Sequence, residues 1–60
     1  MINRYEAYSI YGTFINRLEV WGLLEVGELL ILENEVYTVE SINGKKIELY
    51  PLEIKEAKVL

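Results

Sequence analysis

The side chains able to do chemistry in this sixty-residue chain are ten glutamates, five tyrosines, six lysines or arginines, two serines and two threonines. Histidine, cysteine and aspartate are absent, and with them go the commonest general bases, nucleophiles and metal ligands. No catalytic residue, no cofactor and no bound metal is therefore expected. Glu19, Glu25 and Glu28 could gather around the Gly22 to Gly27 reversal and hold a hard cation, although solvated carboxylates at a turn are the simpler reading. Glu33 and Glu35 flank another turn and read as solubilising charges. Gly22 and Gly27 lack the spacing and the following lysine of a phosphate-cradling loop.

Tyrosine offers a different chemistry. Rings displayed on a sheet can stack on single-stranded bases, each worth about 1–3 kcal/mol, provided that a basic groove tracks the phosphates. Tyr5 and Tyr11 are the candidates for that role, since Tyr37 falls at a core position. The charge opposes it: the net formal charge is −4, and Arg4, Arg17, Lys45, Lys46, Lys55 and Lys58 are scattered along the chain. Nucleic acid is thus the disfavoured partner. Tyrosines at the rim of a core or in a protein interface, where an apolar ring and a polar tip are both useful, are the competing reading.

The elements that would position these groups must come from one domain, residues 1–60. A fold of this size buries only about 60% of the surface that its unfolded chain exposes, so its margin of stability is thin. Disulfides and metal staples are excluded by composition, which leaves association with another chain as the remaining support. Apolar residues and tyrosine make up 52% of the chain, and some of that surface is expected to meet a partner, either a second copy or another protein. The longest apolar run, Leu29 to Leu32, is far below the ~20 residues of a membrane span. The start, Met1 to Glu6, lacks the pattern of a secretory signal, and a cytoplasmic location is the expectation. Abundant Glu, Lys, Ile and Tyr with no Asp, Gln, Cys or His resembles hyperthermophile usage.

Glycine punctuates the chain. Gly12, Gly22, Gly27 and Gly44 divide runs rich in Val, Ile, Leu and Tyr, which predicts short strands joined by turns. Tyr5 to Tyr11 reads as a strand, with Tyr8 and Ile10 on one face and Tyr5, Ala7, Ser9 and Tyr11 on the other. Thr13 to Val20 reads as a second strand; the alternative is a helix capped by Thr13 with a Phe14, Leu18 and Trp21 stripe. Val36 to Glu40 and Lys46 to Tyr50 alternate with period two and predict a hairpin. A three-residue loop, Ile42-Asn43-Gly44, pairs Ser41 with Lys45, Val39 with Ile47 and Tyr37 with Leu49, and sets Glu40 opposite Lys46. Pro51 cannot donate to a ladder, so that strand should stop near Tyr50. A last strand, about Lys55 to Val59, would turn Ala57 and Val59 inward and help close a barrel.

Leu29 to Leu32 is apolar on both faces and should either lie between two layers or show one face to another molecule. Turning through Glu33-Asn34-Glu35 and setting Leu30 beside Tyr37 brings Ile31 beside Val36 on the opposite face. Leu29, Ile31 and Val36 are the candidate interface; the alternative is that a loop or the N-terminal strand folds over them. Trp21, beside Gly22 at a reversal, is either a plug for the end of a barrel or an added interface anchor.

Tyr8-Ser9-Ile10-Tyr11-Gly12, then Arg17-Leu18-Glu19, then Gly22-Leu23-Leu24-Glu25-Val26-Gly27-Glu28 and the strand Leu29 to Leu32 resemble the β-barrel second domain of translational GTPases such as elongation factor Tu. The likeness covers roughly residues 8–32, with a looser match through Tyr37 to Ile42. Two residues, Val20 and Trp21, separate Glu19 from Gly22 where that family usually has one, and Asn16 replaces the glycine usual before the arginine. The resemblance implies a barrel whose end is plugged by the residues between the paired glycines. It implies no GTPase, and it carries no tRNA-contacting position onto these residues.

The expected fold is all-β, a small five- to six-stranded barrel of translation-factor-like or SH3-like form. The expected role is that of a non-catalytic module that binds protein or assembles with itself. A nucleic-acid or translation-associated barrel using surface tyrosines is the alternative.

Overall fold

The computed structural model describes residues 1–52 and contains five strands. These are β1 (Ile2–Ser9), β2 (Phe14–Trp21), β3 (Leu29–Leu32), β4 (Glu35–Asn43) and β5 (Lys46–Pro51). They form one sheet in the order β2-β1-β5-β4-β3, curled into a half-barrel, as expected of a small all-β chain. The segment predicted as a closing strand, residues 55–59, lies outside the described residues. No helix among the described residues is long and apolar enough to cross a membrane.

Residues Thr13 to Val20 resolve as strand rather than helix, and the reason is pairing. Tyr5 faces Leu18 and Asn3 faces Val20, which turns the apolar residues of β2 towards the core side of β1. The ladder then shifts between Ala7 and Tyr8: Ala7 pairs with Asn16 but Tyr8 with Phe14, so Ile15 is the extra residue of a bulge. Ile15 thereby packs against the core. The first strand begins and ends earlier than its sequence suggests. Its stop is chemical: the Ser9 hydroxyl accepts from the amides of Tyr11 and Thr13, each at 3.2 Å, and diverts the backbone into a turn. Tyr11 consequently sits on that turn rather than in a ladder.

The two β-hairpins of the C-terminal half are both closed by two-residue loops. Between β3 and β4 the central residues Glu33 and Asn34 both have positive φ, 50° and 66°, which suits the right-handed twist of a two-residue loop. Leu30 therefore pairs with Tyr37 and Ile31 with Val36, the register expected from the sequence. Between β4 and β5 the predicted register is corrected. The loop is Gly44-Lys45, with Gly44 at φ 62°, and Asn43 pairs with Lys46 and Ile42 with Ile47. Val39 pairs with Leu49 and Tyr37 with Pro51, so Ser41 does not face Lys45 and Glu40 does not face Lys46. Glu40 is instead the extra residue of a bulge between Val39 and Ser41. That insertion lets Val39 and Ile42, three positions apart, both turn inward, which strict alternation forbids.

The core is thin. Tyr5, Ala7, Leu24, Val39, Ile47 and Leu49 are buried, with Ile15, Leu18, Val20, Leu30, Leu32, Tyr37 and Ile42 packed partly covered around them. It lies on the concave face, centred where β1 runs parallel to β5 and pairs Ala7 with Ile47 and Ser9 with Leu49. Leu24 reaches it from the loop between β2 and β3, the one buried residue of the segment between Gly22 and Gly27. Truncating Ile47 to alanine removes fully covered volume at the centre and should cost about 2–5 kcal/mol. A core this small rarely supplies more than about 3–5 kcal/mol, so urea denaturation should find Ile47→Ala largely unfolded without denaturant. A loss under about 1 kcal/mol would contradict this placement of the core.

Candidate functional site

Alternation along each strand sends half of its side chains to the convex face, where nothing in the sheet covers them. On β3 these are Leu29 and Ile31, 64% and 76% exposed. Val36, half-buried, stands opposite Ile31, and Thr38 stands opposite Leu29 and Tyr50. The three residues singled out from the sequence thus lie side by side on one convex corner. The N-terminal strand does not fold over them, because it pairs with β5 and β2 on the other side of the sheet. Exposed Tyr50 and Leu52 extend the patch, and the Leu52 amide donates to the Val36 carbonyl at 2.9 Å. Sequence reading missed these two because Pro51 marked the strand as finished.

Trp21 does not join this corner. It ends β2, at the opposite edge of the sheet from β3, pairs with Ile2 and is 77% exposed. It is no plug; Leu24 fills that place.

Tyr5 and Tyr11 part company as well. Tyr5 is 6% exposed, its ring lies in the core, and its hydroxyl accepts from the Leu24 amide at 3.4 Å. A base cannot reach it. Tyr11 is open to solvent on the turn after β1. Tyr8 is engaged locally: Phe14 meets it edge-on at 5.4 Å between centroids, and the Lys46 ammonium lies 5.6 Å over its ring.

Basic residues that look scattered in the sequence converge in space. Glu6 pairs with Arg17 on β2 and with Lys46 on β5, and its amide donates to the Lys45 carbonyl at 2.7 Å. Arg4 is two residues away on the same face and reaches Glu19 at 3.4 Å. The convex face of β2, β1 and β5 therefore carries Arg4, Arg17 and Lys46, with Lys45 beside them, interleaved with Glu6, Glu19 and Glu48. Opposite charges alternate across strands, and among the described residues Arg4 and Glu19 alone form an ion pair, exposed and contributing little to stability. A shallow groove of about 580 Å³ runs past Arg4, Arg17, Leu18, Glu19 and Lys45.

The glutamates considered for a cation do not assemble. Glu28 uses Oε1 to accept from the Glu25 amide at 2.9 Å, tightening the Gly22 to Gly27 loop, while Glu19 faces Arg4. Among the described residues no group of three or more acidic side chains is placed to hold a metal ion. Comparison with family models, with curated proteins and with solved structures returned no match.

Because Trp21 is exposed and Leu24 does the packing, Trp21→Ala should leave stability within about 0.5 kcal/mol of the parent in urea denaturation. Its indole should also be fully open to acrylamide in dilute solution. A loss above about 2 kcal/mol, or a shielded indole, would place Trp21 in the core instead.

Proposed function

We propose that this chain is a non-catalytic β module that works by contact with protein, self-association foremost, through the convex corner formed by Leu29, Ile31 and Val36. The observation that carries the reading is the exposure of Leu29 and Ile31 on a strand with no charged residue in it. Solvated sheet faces ordinarily alternate to polar residues, and this one does not. Its thin core supports the same conclusion, since binding to the native state adds stability that grows with the logarithm of partner concentration. The charge ladder on the remaining convex face is self-neutralising and keeps that side soluble.

A second reading is favoured by one observation, the gathering of Arg4, Arg17, Lys45 and Lys46 near exposed Phe14 and Trp21. On that reading the module binds single-stranded nucleic acid across β2 and β1, in keeping with the translational-GTPase resemblance, with Trp21 in the stacking role assigned to Tyr5 from sequence. Salt separates the two. Association of acidic copies is favoured as salt screens their repulsion, whereas binding to phosphates weakens.

Sedimentation at micromolar concentration should show an assembly, and Ile31→Glu should weaken it by tenfold or more, about 1.4 kcal/mol, with the far-ultraviolet dichroism of the sheet retained. An Ile31→Glu protein that associates as the parent does, or a parent that binds RNA but not itself, would remove the proposal.

A further inference from the structure

Resting on that reading, we infer that the contact is edge to edge: β3 pairs antiparallel with β3 of a second copy about a two-fold axis at Leu30, joining two five-stranded sheets into one. The hairpin geometry decides which backbone groups are on offer. A two-residue loop makes Leu32 and Glu35 a hydrogen-bonded pair, so Leu30 and Tyr37 form the next one, and the N–H and C=O of Leu29 and Ile31 point away from β4. Val39 keeps the same alternation by donating to the Glu28 carbonyl at 2.9 Å. The outward groups therefore belong to the two residues of β3 whose side chains are also most exposed.

Edges of sheets are normally guarded by a lysine, a proline, a bulge or an inward-pointing charge. Strand β3, Leu-Leu-Ile-Leu, has none of these, and its ladder with β4 is regular. The sequence favours a second copy as occupant, because Leu29, Leu30 and Ile31 are self-complementary about Leu30. A two-fold axis at Leu30 sets Leu29 against Ile31 of the second copy, twice, and Leu30 against its counterpart, with about four new backbone hydrogen bonds. Glu28 then meets Leu32, and Glu33 meets Gly27, so no two carboxylates oppose each other despite a net charge of −4 on each copy. An axis one residue later sets Leu29 against Glu33, whose φ of 50° takes its amide out of line with a ladder. The register at Leu30 is the one that pairs Leu29, Leu30 and Ile31 only with one another and sets no two carboxylates opposite. On the concave side, half-buried Leu30 meets its counterpart and extends the core to the seam.

Hydrogen exchange of the full chain, read residue by residue, tests this directly. Leu30 and Leu32 amides are protected in any folded form, because β4 holds them. Leu29 and Ile31 amides should exchange rapidly in dilute solution and slow by at least about tenfold as concentration rises through the association range. As an independent arm, Ile31→Pro deletes an outward amide without touching the β3 to β4 ladder and should abolish association, whereas Ile31→Val should preserve it. If the parent associates and Ile31→Glu disrupts it, yet Leu29 and Ile31 amides stay fast and Ile31→Pro associates normally, two convex faces are stacking. Edge pairing is then wrong while self-association stands. Slow Leu29 and Ile31 amides at every concentration would show the edge covered by this chain itself, and a monomer with fast amides would remove self-association too; either result overturns the inference.

Discussion

The short parallel ladder between β1 and β5 is the constraint on which the rest of the structure depends. It spans Glu6 to Ser9 against Lys46 to Leu49 and joins an N-terminal hairpin to a C-terminal three-stranded meander. Ala7, Ile47 and Leu49, all fully covered, lie along it, and Val39 joins them from the neighbouring strand. Parallel pairing is slightly weaker per residue than antiparallel pairing and brings together segments some forty positions apart, about the costliest contact to close in so short a chain. Apolar side chains concentrate there for that reason. The two halves touch through little else, so the burial that holds them together cannot also serve the outlying strands.

That allocation explains the uncovered corner. Among the described residues the covered side chains lie near the middle of the sheet, and Leu29 and Ile31 stay exposed on the convex face. Leu24, brought in by the loop closed between Gly22 and Gly27, shields the concave side next to Tyr5 and reaches no further. The convex face is accordingly divided by chemistry. On β2, β1 and β5 it carries alternating charges flanked by exposed Ile2, Phe14 and Trp21, while at β3 and β4 it is uncharged and largely aliphatic. A charged surface tolerates water, whereas an aliphatic edge with open amides is a ready template for pairing with another chain.

Period-two alternation made the strands legible, whereas Leu29 to Leu32, apolar on both sides, discriminates no register by itself; the two-residue Glu33-Asn34 turn sets its pairing with β4. The same logic misread the β4 to β5 hairpin. An inserted residue such as Glu40 leaves no mark on local alternation; it shows only when Val39 and Ile42 are both required to face inward. Tyr5 was correctly grouped with Ala7, but a tyrosine suits a core rim and a surface platform equally well, so its burial depended on Leu24 arriving from another loop. The meeting of Arg4, Arg17, Lys45 and Lys46 was invisible for a further reason. It arises from strand order, and a parallel pairing of the first strand with the last described one is not written in any local pattern.

The central claim is that the fold draws stability from a second chain at β3, and thermal unfolding followed as a function of protein concentration tests it most directly. Linkage requires the midpoint to climb as association fills, and for a domain of this size each 1 kcal/mol gained corresponds to about 4–8 °C. If β3 pairs with a second copy, the midpoint rises by several degrees over a hundredfold increase in concentration, roughly in step with the logarithm of concentration. A midpoint that stays fixed across that range, with reversible two-state unfolding throughout, would contradict it.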